Sequence, residues 1–161
     1  MAAVTAIALV AALLSSRSID PLRGDSAEYL YFDPSRTVGY PAFLWVVKTV
    51  TGKVGLAVPM QMLVLAGSLL ALGWSFHRFV GRPAVSFVFY LLLVAQAGMW
   101  FLSDFLMTEA LATALVALWC AELLRLTREP FAGRRYLLIA LSALATMVRP
   151  SLLPLFLGSA L

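Results

Sequence analysis

The chain has 161 residues, of which 62% are hydrophobic and only 12% are charged. That charged fraction is roughly half the share of a soluble domain, and the mean hydropathy is +0.93. This composition excludes an ordinary cytosolic enzyme, a disordered tail and a disulfide-stapled secreted module, because the polar groups are too few to cover a water-exposed surface. At about 20 apolar residues per crossing helix, there is material for four or five membrane spans.

The positive charge indicates membrane orientation more simply than nucleic-acid binding. The formal net charge is +4, but the twelve Lys and Arg residues are dispersed along the chain and form no stripe. The bilayer is therefore the predicted partner, and nucleic acid is not. The single cysteine, Cys120, lies in an apolar run, so neither a disulfide framework nor a cysteine-based metal site is expected.

Apolar runs predict the spans of an all-α, polytopic transmembrane bundle with about five crossings, in a single domain over residues 1–161. The fourth run carries Glu109 near its start and Glu122 near its end. The first run favours a retained helix over a signal peptide, because no Lys or Arg precedes it. The last run is interrupted only by Arg149-Pro150. The runs cover residues 1–16, 54–76, 83–103, 105–124 and 136–161.

Residues 17–53 form the one extended polar stretch, and Pro21, Pro34 and Pro41 divide it into short pieces. Its second half, residues 40–50, is apolar and aromatic but too short to span. This pattern predicts a short interfacial helix within the first outer loop.

Charge bias sets the predicted orientation. A tight basic turn at 77–82 and a polar loop at 125–135 are expected between the runs; they hold six of the twelve basic residues, and an even number of crossings separates them. The positive-inside rule makes that side cytoplasmic. Residues 17–53, the Ser103-Asp104 turn and the far end of the last helix are then extracytoplasmic.

This orientation gathers five charged residues toward the outer face: Asp25, Glu28, Asp104, Glu109 and Arg149. Charges at membrane depth are costly and usually serve a pathway or an active site. Simpler interpretations stay open for three of them. Asp104 fits a solvated turn, Glu109 fits packing against a neighbouring helix, and Arg149 fits snorkelling to the headgroups.

Two further predictions concern structure alone. Glu122 and Arg125 are spaced for an i,i+3 ion pair on one helix. Gly67, Ser68 and Gly73 are small residues that would allow close helix packing.

The polar stretch carries Asp25-Ser26-Ala27-Glu28-Tyr29 and then Arg36-Thr37-Val38-Gly39-Tyr40-Pro41-Ala42-Phe43-Leu44. Thr108-Glu109-Ala110-Leu111 and Val148-Arg149-Pro150 follow at later helix ends. In order and spacing these elements resemble the polytopic glycosyltransferases of the C superfamily (GT-C), such as the protein O-mannosyltransferases and the aminoarabinose transferase. Val38 stands where that family often has Pro. The family's members are usually much longer, so the resemblance implies the amino-terminal part of such a fold.

The resemblance implies transfer of a sugar from a polyprenyl-phosphate donor to an acceptor at the extracytoplasmic face. Asp25 is the expected catalytic base, since a positioned carboxylate can take the acceptor's proton. The leaving phosphate needs positive charge or a bound divalent cation. The expected substrate- and phosphate-binding residues are Arg36, Arg149, Tyr29 and Tyr40, and the acids that would orient the acceptor or hold a metal are Glu28, Asp104 and Glu109. Asp25 also fits a helix N-cap.

Two other classes of function stay open. A transporter subunit would suit intramembrane charges, but the sequence has no internal repeat and its charges gather at one face. A non-catalytic membrane scaffold or assembly protein is the second alternative, because five helices enclose little space for a lipid-linked sugar.

Overall fold

The computed structural model describes residues 37–101 and 108–154, and these are almost entirely helical, without a β-strand. The all-α prediction is therefore confirmed for the described residues. Single 3₁₀ turns, Val54–Leu56 and Pro150–Leu152, precede the second helix and follow the last. The helices are α1 Gly39–Thr51, α2 Ala57–Val80, α3 Pro83–Phe101, α4 Thr108–Arg128 and α5 Ala132–Val148.

Helices α2 and α4 run in the same direction and pack along their lengths. Near their starts, Val58 and Leu111 share one buried cluster, and near their ends Arg125 donates a hydrogen bond to Ser75. The contact face of α4 is a stripe of small residues at helical spacing, which lets leucines of α2 approach closely. These buried residues are Leu65, Leu69 and Leu72 of α2 and Ala110, Ala114, Ala117 and Ala121 of α4.

Helix α5 returns antiparallel to α4, so the bundle has two ends of different composition. The end where α4 begins and α5 finishes is called the Arg149 end. The end where α2 and α4 finish and α5 begins is called the Arg134 end. Because an α-helix rises 1.5 Å per residue, the two ends lie roughly 25 Å apart along α4.

Helix α1 coincides with the predicted short helix at 40–50. Its inner face buries Tyr40, Leu44 and Val47 against the starts of α2 and α4. Its outer face exposes Trp45 and Val50. The helix itself is confirmed, and its position at a membrane surface stays a prediction.

The loops at the two basic segments, 77–82 and 125–135, are shorter than the sequence predicts. Helix α2 continues through His77 and Arg78, and Gly81 ends it with φ +69° in the left-handed region. Pro83 then opens α3, where its missing N–H costs nothing. Helix α4 likewise continues through Arg128. The expected loop at 125–135 is therefore only residues 129–131, since helix propensity and ion pairing keep the basic residues helical until Pro130.

Within the described residues, two helical segments are long and apolar enough to cross a membrane, Val54–Val80 and Thr108–Arg128. The predicted first span at 1–16 lies outside the described residues. Of the three small residues expected at helix contacts, Ser68 and Gly73 are buried in α2. Gly67 has no atom of the described residues within 4 Å of an added Cβ, so its packing role stays a prediction.

Candidate functional site

The Arg149 end brings together two residues that are 40 positions apart in the sequence. Glu109 lies in the first turn of α4, and Arg149 directly follows α5. Arg149 Nη1 lies 3.5 Å from Glu109 Oε1. Thr108 Oγ1 donates to the other carboxylate oxygen, Oε2, at 3.1 Å. The carboxylate is thus held from two sides while both charged side chains stay partly exposed.

Pro150 explains why Arg149 leaves the helix. A residue before proline is disfavoured in the α region, and Arg149 accordingly adopts φ −146°, ψ 107°. Its backbone N–H still donates to the Ala145 carbonyl at 2.8 Å. The helix therefore ends at a defined residue, and the guanidinium is presented at the helix terminus beside Glu109.

A groove of about 300 Å³ lies beside this ion pair. One of its walls is the first half of α4, and the other is the turn that follows α5. The carboxylate can accept a proton or a hydroxyl hydrogen bond, and the guanidinium can bind an anion bidentately. The groove is lined by Glu109, Ala112, Thr113, Val116, Arg149, Ser151 and Leu152.

Gly39 and Thr37 attach the start of α1 to the same end. A Cβ built on Gly39 would lie 2.6 Å from the backbone C and O atoms of Met147, so only glycine permits this approach. Thr37 Oγ1 donates to the carbonyl of Val148 at 2.9 Å. Gly39, the first residue of Gly39-Tyr40-Pro41, therefore has a packing role against α5.

Tyr40 lies fully buried beneath this end. Its hydroxyl donates to Gln61 Oε1 at 2.9 Å, and its ring packs with Phe43. Within the described residues Gln61 Nε2 is buried without a hydrogen-bond partner. The hydrogen bond joins α1 to α2, and contact of Tyr40 with a sugar or headgroup stays a prediction. Sequence reasoning missed Gln61, although a lone amide inside the uncharged run was an available signal.

Five of the predicted site residues lie outside the described residues: Asp25, Glu28, Tyr29, Arg36 and Asp104. Of the remaining three, the structure brings Glu109 and Arg149 together and buries Tyr40 in the adjacent core. Residues 37–101 and 108–154 contain no group of three His, Cys, Asp or Glu side chains that could hold a metal ion. Among the described residues, Glu109 supplies the carboxylate at the Arg149 end. It contacts the Arg149 guanidinium and accepts a hydrogen bond from the Thr108 hydroxyl.

The Arg134 end holds a second, more buried charge cluster. Glu122 is buried and pairs with Arg125, as its i,i+3 spacing predicts. Its second oxygen lies 3.8 Å from Arg134 Nη1 of α5, and Arg134 Nη2 lies 2.9 Å from Glu129 Oε2. Sequence reasoning missed the part played by Arg134, because only the packing of α5 on α4 brings it to Glu122.

No family model, no curated protein and no solved structure matches this chain.

Proposed function

We propose that this chain is a membrane glycosyltransferase of the GT-C type, or the amino-terminal part of one. It would transfer a sugar from a polyprenyl-phosphate donor to an acceptor at the extracytoplasmic face. The described helices would belong to a bundle of about five spans, with α1 lying at the outer membrane surface. The Arg149 end would be the active face.

The distribution of exposed side chains supports a lipid environment. Large apolar side chains are exposed on α2 and α3, on faces turned away from the bundle interior. Contiguous apolar surface of this kind is rare on soluble monomers, and hydrocarbon chains would cover it without cost. Examples are Leu63, Val64, Leu70, Phe87, Val88 and Leu92.

The observation that carries the proposal is the meeting of three motif elements at one end of the bundle. Glu109 of the Thr-Glu element lies 3.5 Å from Arg149 of the Arg-Pro element. Thr37, within the Arg36 to Leu44 stretch, donates a hydrogen bond to the carbonyl of Val148, the residue before Arg149. These elements are separated by 40 and 111 positions in the chain. Their convergence at one end of the bundle supports a shared site.

In the proposed reaction, the acceptor oxygen attacks the anomeric carbon of the donor while the bond from that carbon to the phosphate oxygen breaks. Asp25 would take the acceptor's proton. Arg149, together with Arg36, would bind the leaving phosphate, whose negative charge increases as the bond breaks. Glu109 would keep the Arg149 guanidinium oriented toward the groove, so Arg149 would exchange part of its ion pair for the phosphate.

The test measures transfer of radiolabelled mannose from polyprenyl phosphate to acceptors in membranes that contain the chain. Asp25→Asn should lower the rate by about 10²–10⁴-fold, the usual contribution of a general base. Membrane insertion should not change. Asp20→Asn is the matched control, since it removes a charge from the same loop and leaves the proposed base intact.

A second pair of variants tests the phosphate role. Arg149→Gln should reduce transfer, whereas Arg135→Gln, which removes a guanidinium at the opposite end, should leave it unchanged. Transfer that persists in both Asp25→Asn and Arg149→Gln would reject the catalytic assignment. Insertion without any transfer from a mannose or aminoarabinose donor, even in the unmodified chain, would favour the scaffold alternative.

A further inference from the structure

The Arg134 end contains a cleft that the proposed reaction does not use. It opens where α2 and α4 finish and where α5 begins, and its volume is about 200 Å³. The side chains that give it its character are four arginines, an exposed tryptophan at its rim and one carboxylate. They are Arg78, Arg125, Arg128, Arg134, Trp74 and Glu129.

The charges of the described residues around this cleft do not cancel. Glu122, directly behind it, pairs with Arg125 and Arg134, and Glu129 pairs with Arg134. Arg78 and Arg128 form no ion pair with any residue in 37–101 or 108–154. Four guanidinium groups against two carboxylates leave two positive charges in excess (4 − 2 = 2). A phosphate ester, which carries one to two negative charges, would balance this excess.

Two of the four arginines are held in place before any ligand arrives. Arg125 Nε donates to Ser75 Oγ at 2.9 Å while its Nη1 bonds to Glu122. Arg134 is fixed by Glu129, and its Nη1 is buried without a hydrogen bond to any described residue. A pre-oriented guanidinium loses little conformational freedom on binding, and its planar donors match phosphate oxygens.

Helix ends and membrane orientation alone do not account for this arrangement. Cations near a helix C-terminus interact favourably with its dipole, and cytoplasmic loops are rich in arginine. Arg82 and Arg135 lie at the same end without lining the cleft. Arg134 does line it, although it lies in the first turn of α5, where the helix dipole does not favour a cation. The cleft instead concentrates four guanidinium groups around one volume.

We propose that this cleft binds the phosphate group of an anionic phosphate ester, held by Arg78 and Arg128 together with the pre-oriented Arg125 and Arg134. The site is separate from the proposed glycosyl-transfer site and does not depend on it. An anionic phospholipid headgroup and a soluble phosphate offer the same chemistry. Basic pockets between membrane helices bind such headgroups, and Trp74, which is 58% exposed, suits a position at headgroup level.

The test is a binding titration of the full chain in detergent, followed by intrinsic tryptophan fluorescence and by thermal stability. The probes are dihexanoyl phosphatidic acid, dihexanoyl phosphatidylcholine and inorganic phosphate. Arg78→Ala/Arg128→Ala is compared with Arg82→Ala/Arg135→Ala. All four side chains are exposed, so both double variants lose the same charge from the surface without opening the core.

We expect saturable binding of phosphatidic acid that weakens at least tenfold in Arg78→Ala/Arg128→Ala, equivalent to about 1.4 kcal/mol. The control double variant should bind within about twofold of the unmodified chain. Arg78→Lys/Arg128→Lys should show an intermediate loss, since lysine keeps the charge but not the bidentate geometry. If the alanine variant does not fold, the loss of binding in this lysine variant tests the site instead.

The source of the phosphate follows from the other probes. Binding of phosphatidic acid well above inorganic phosphate assigns a lipid headgroup, and equal binding assigns a soluble phosphate; both support the site. Three results would overturn it: no saturable binding of either anion, equal losses in the two alanine variants, or phosphatidylcholine binding as tightly as phosphatidic acid.

Discussion

The two ends of the helical bundle hold their charged residues in opposite ways. At the Arg134 end, buried Glu122 contacts two arginines from two helices, and further arginines surround a cleft. At the Arg149 end, one pair 3.5 Å apart lies at the surface of an apolar cluster. Charge interactions thus connect helices at the first end, while close packing connects them at the second.

This difference separates residues that maintain the fold from residues that remain available to a ligand. A buried carboxylate that loses its partners is costly, so Glu122 is committed to the structure. A half-exposed pair is screened by water and contributes little. Glu109 and Arg149 can therefore separate without unfolding the bundle.

The largest effect is expected where backbones touch at the Arg149 end. Gly39→Ala places a Cβ 2.6 Å from the Met147 backbone, which cannot rotate away. The free energy of unfolding should fall by about 2–3 kcal/mol, the usual cost of overpacking. Unfolding by SDS in mixed micelles measures it. Gly67→Ala, with no atom of the described residues within 4 Å of the added carbon, should be neutral or stabilising. Equal stability of both variants would refute the close contact.

The next largest effect concerns the buried carboxylate of the Arg134 end. Glu122→Gln leaves the guanidinium groups of Arg125 and Arg134 without their shared anion, and should cost about 2 kcal/mol in the same unfolding measurement. Glu129→Gln removes an equivalent charge whose side chain is 63% exposed. It should change stability by no more than about 0.5 kcal/mol. If the two variants behaved alike, Glu122 would not be the structural centre of this end.

A smaller effect is expected from the buried hydroxyl of the Arg149 end. Tyr40→Phe removes the donor to Gln61 Oε1 and leaves a buried amide oxygen with one partner fewer. The loss should be about 1–2 kcal/mol. Tyr136→Phe makes the same change at a residue that is 74% exposed, and should not change the free energy of unfolding. An unaffected Tyr40→Phe protein would mean that the hydrogen bond contributes nothing.

The smallest effect is expected for the candidate site itself. A double-mutant cycle of Glu109→Gln and Arg149→Gln should give a coupling below about 1 kcal/mol, because both side chains are partly exposed. Stability should hardly change while any transfer activity does. A coupling of several kcal/mol would instead make this pair structural, like Glu122 and its arginines, and would remove the contrast between the two ends.

Several local features could be predicted from the sequence. The helix at 40–50 followed from an apolar, aromatic segment between polar flanks, and the Glu122–Arg125 pair followed from helical spacing alone. The sequence predicts a longer loop at 125–135 than the structure has, because clustered charges are typical of loops, whereas arginine is also a good helix former. The partners of Gln61 and Arg134 could not be predicted, since each partner lies on another helix.

By itself, the sequence determined the helical class, the apolar character and the approximate positions of the helices, because hydrophobic runs and prolines act over a few neighbouring residues. Only the tertiary structure decided which charges meet. Glu109 and Arg149 come together because α5 runs antiparallel to α4. Gly39 is required because α1 crosses the end of α5 at backbone contact distance. Such pairings depend on helix direction and crossing, which no local pattern in the sequence specifies.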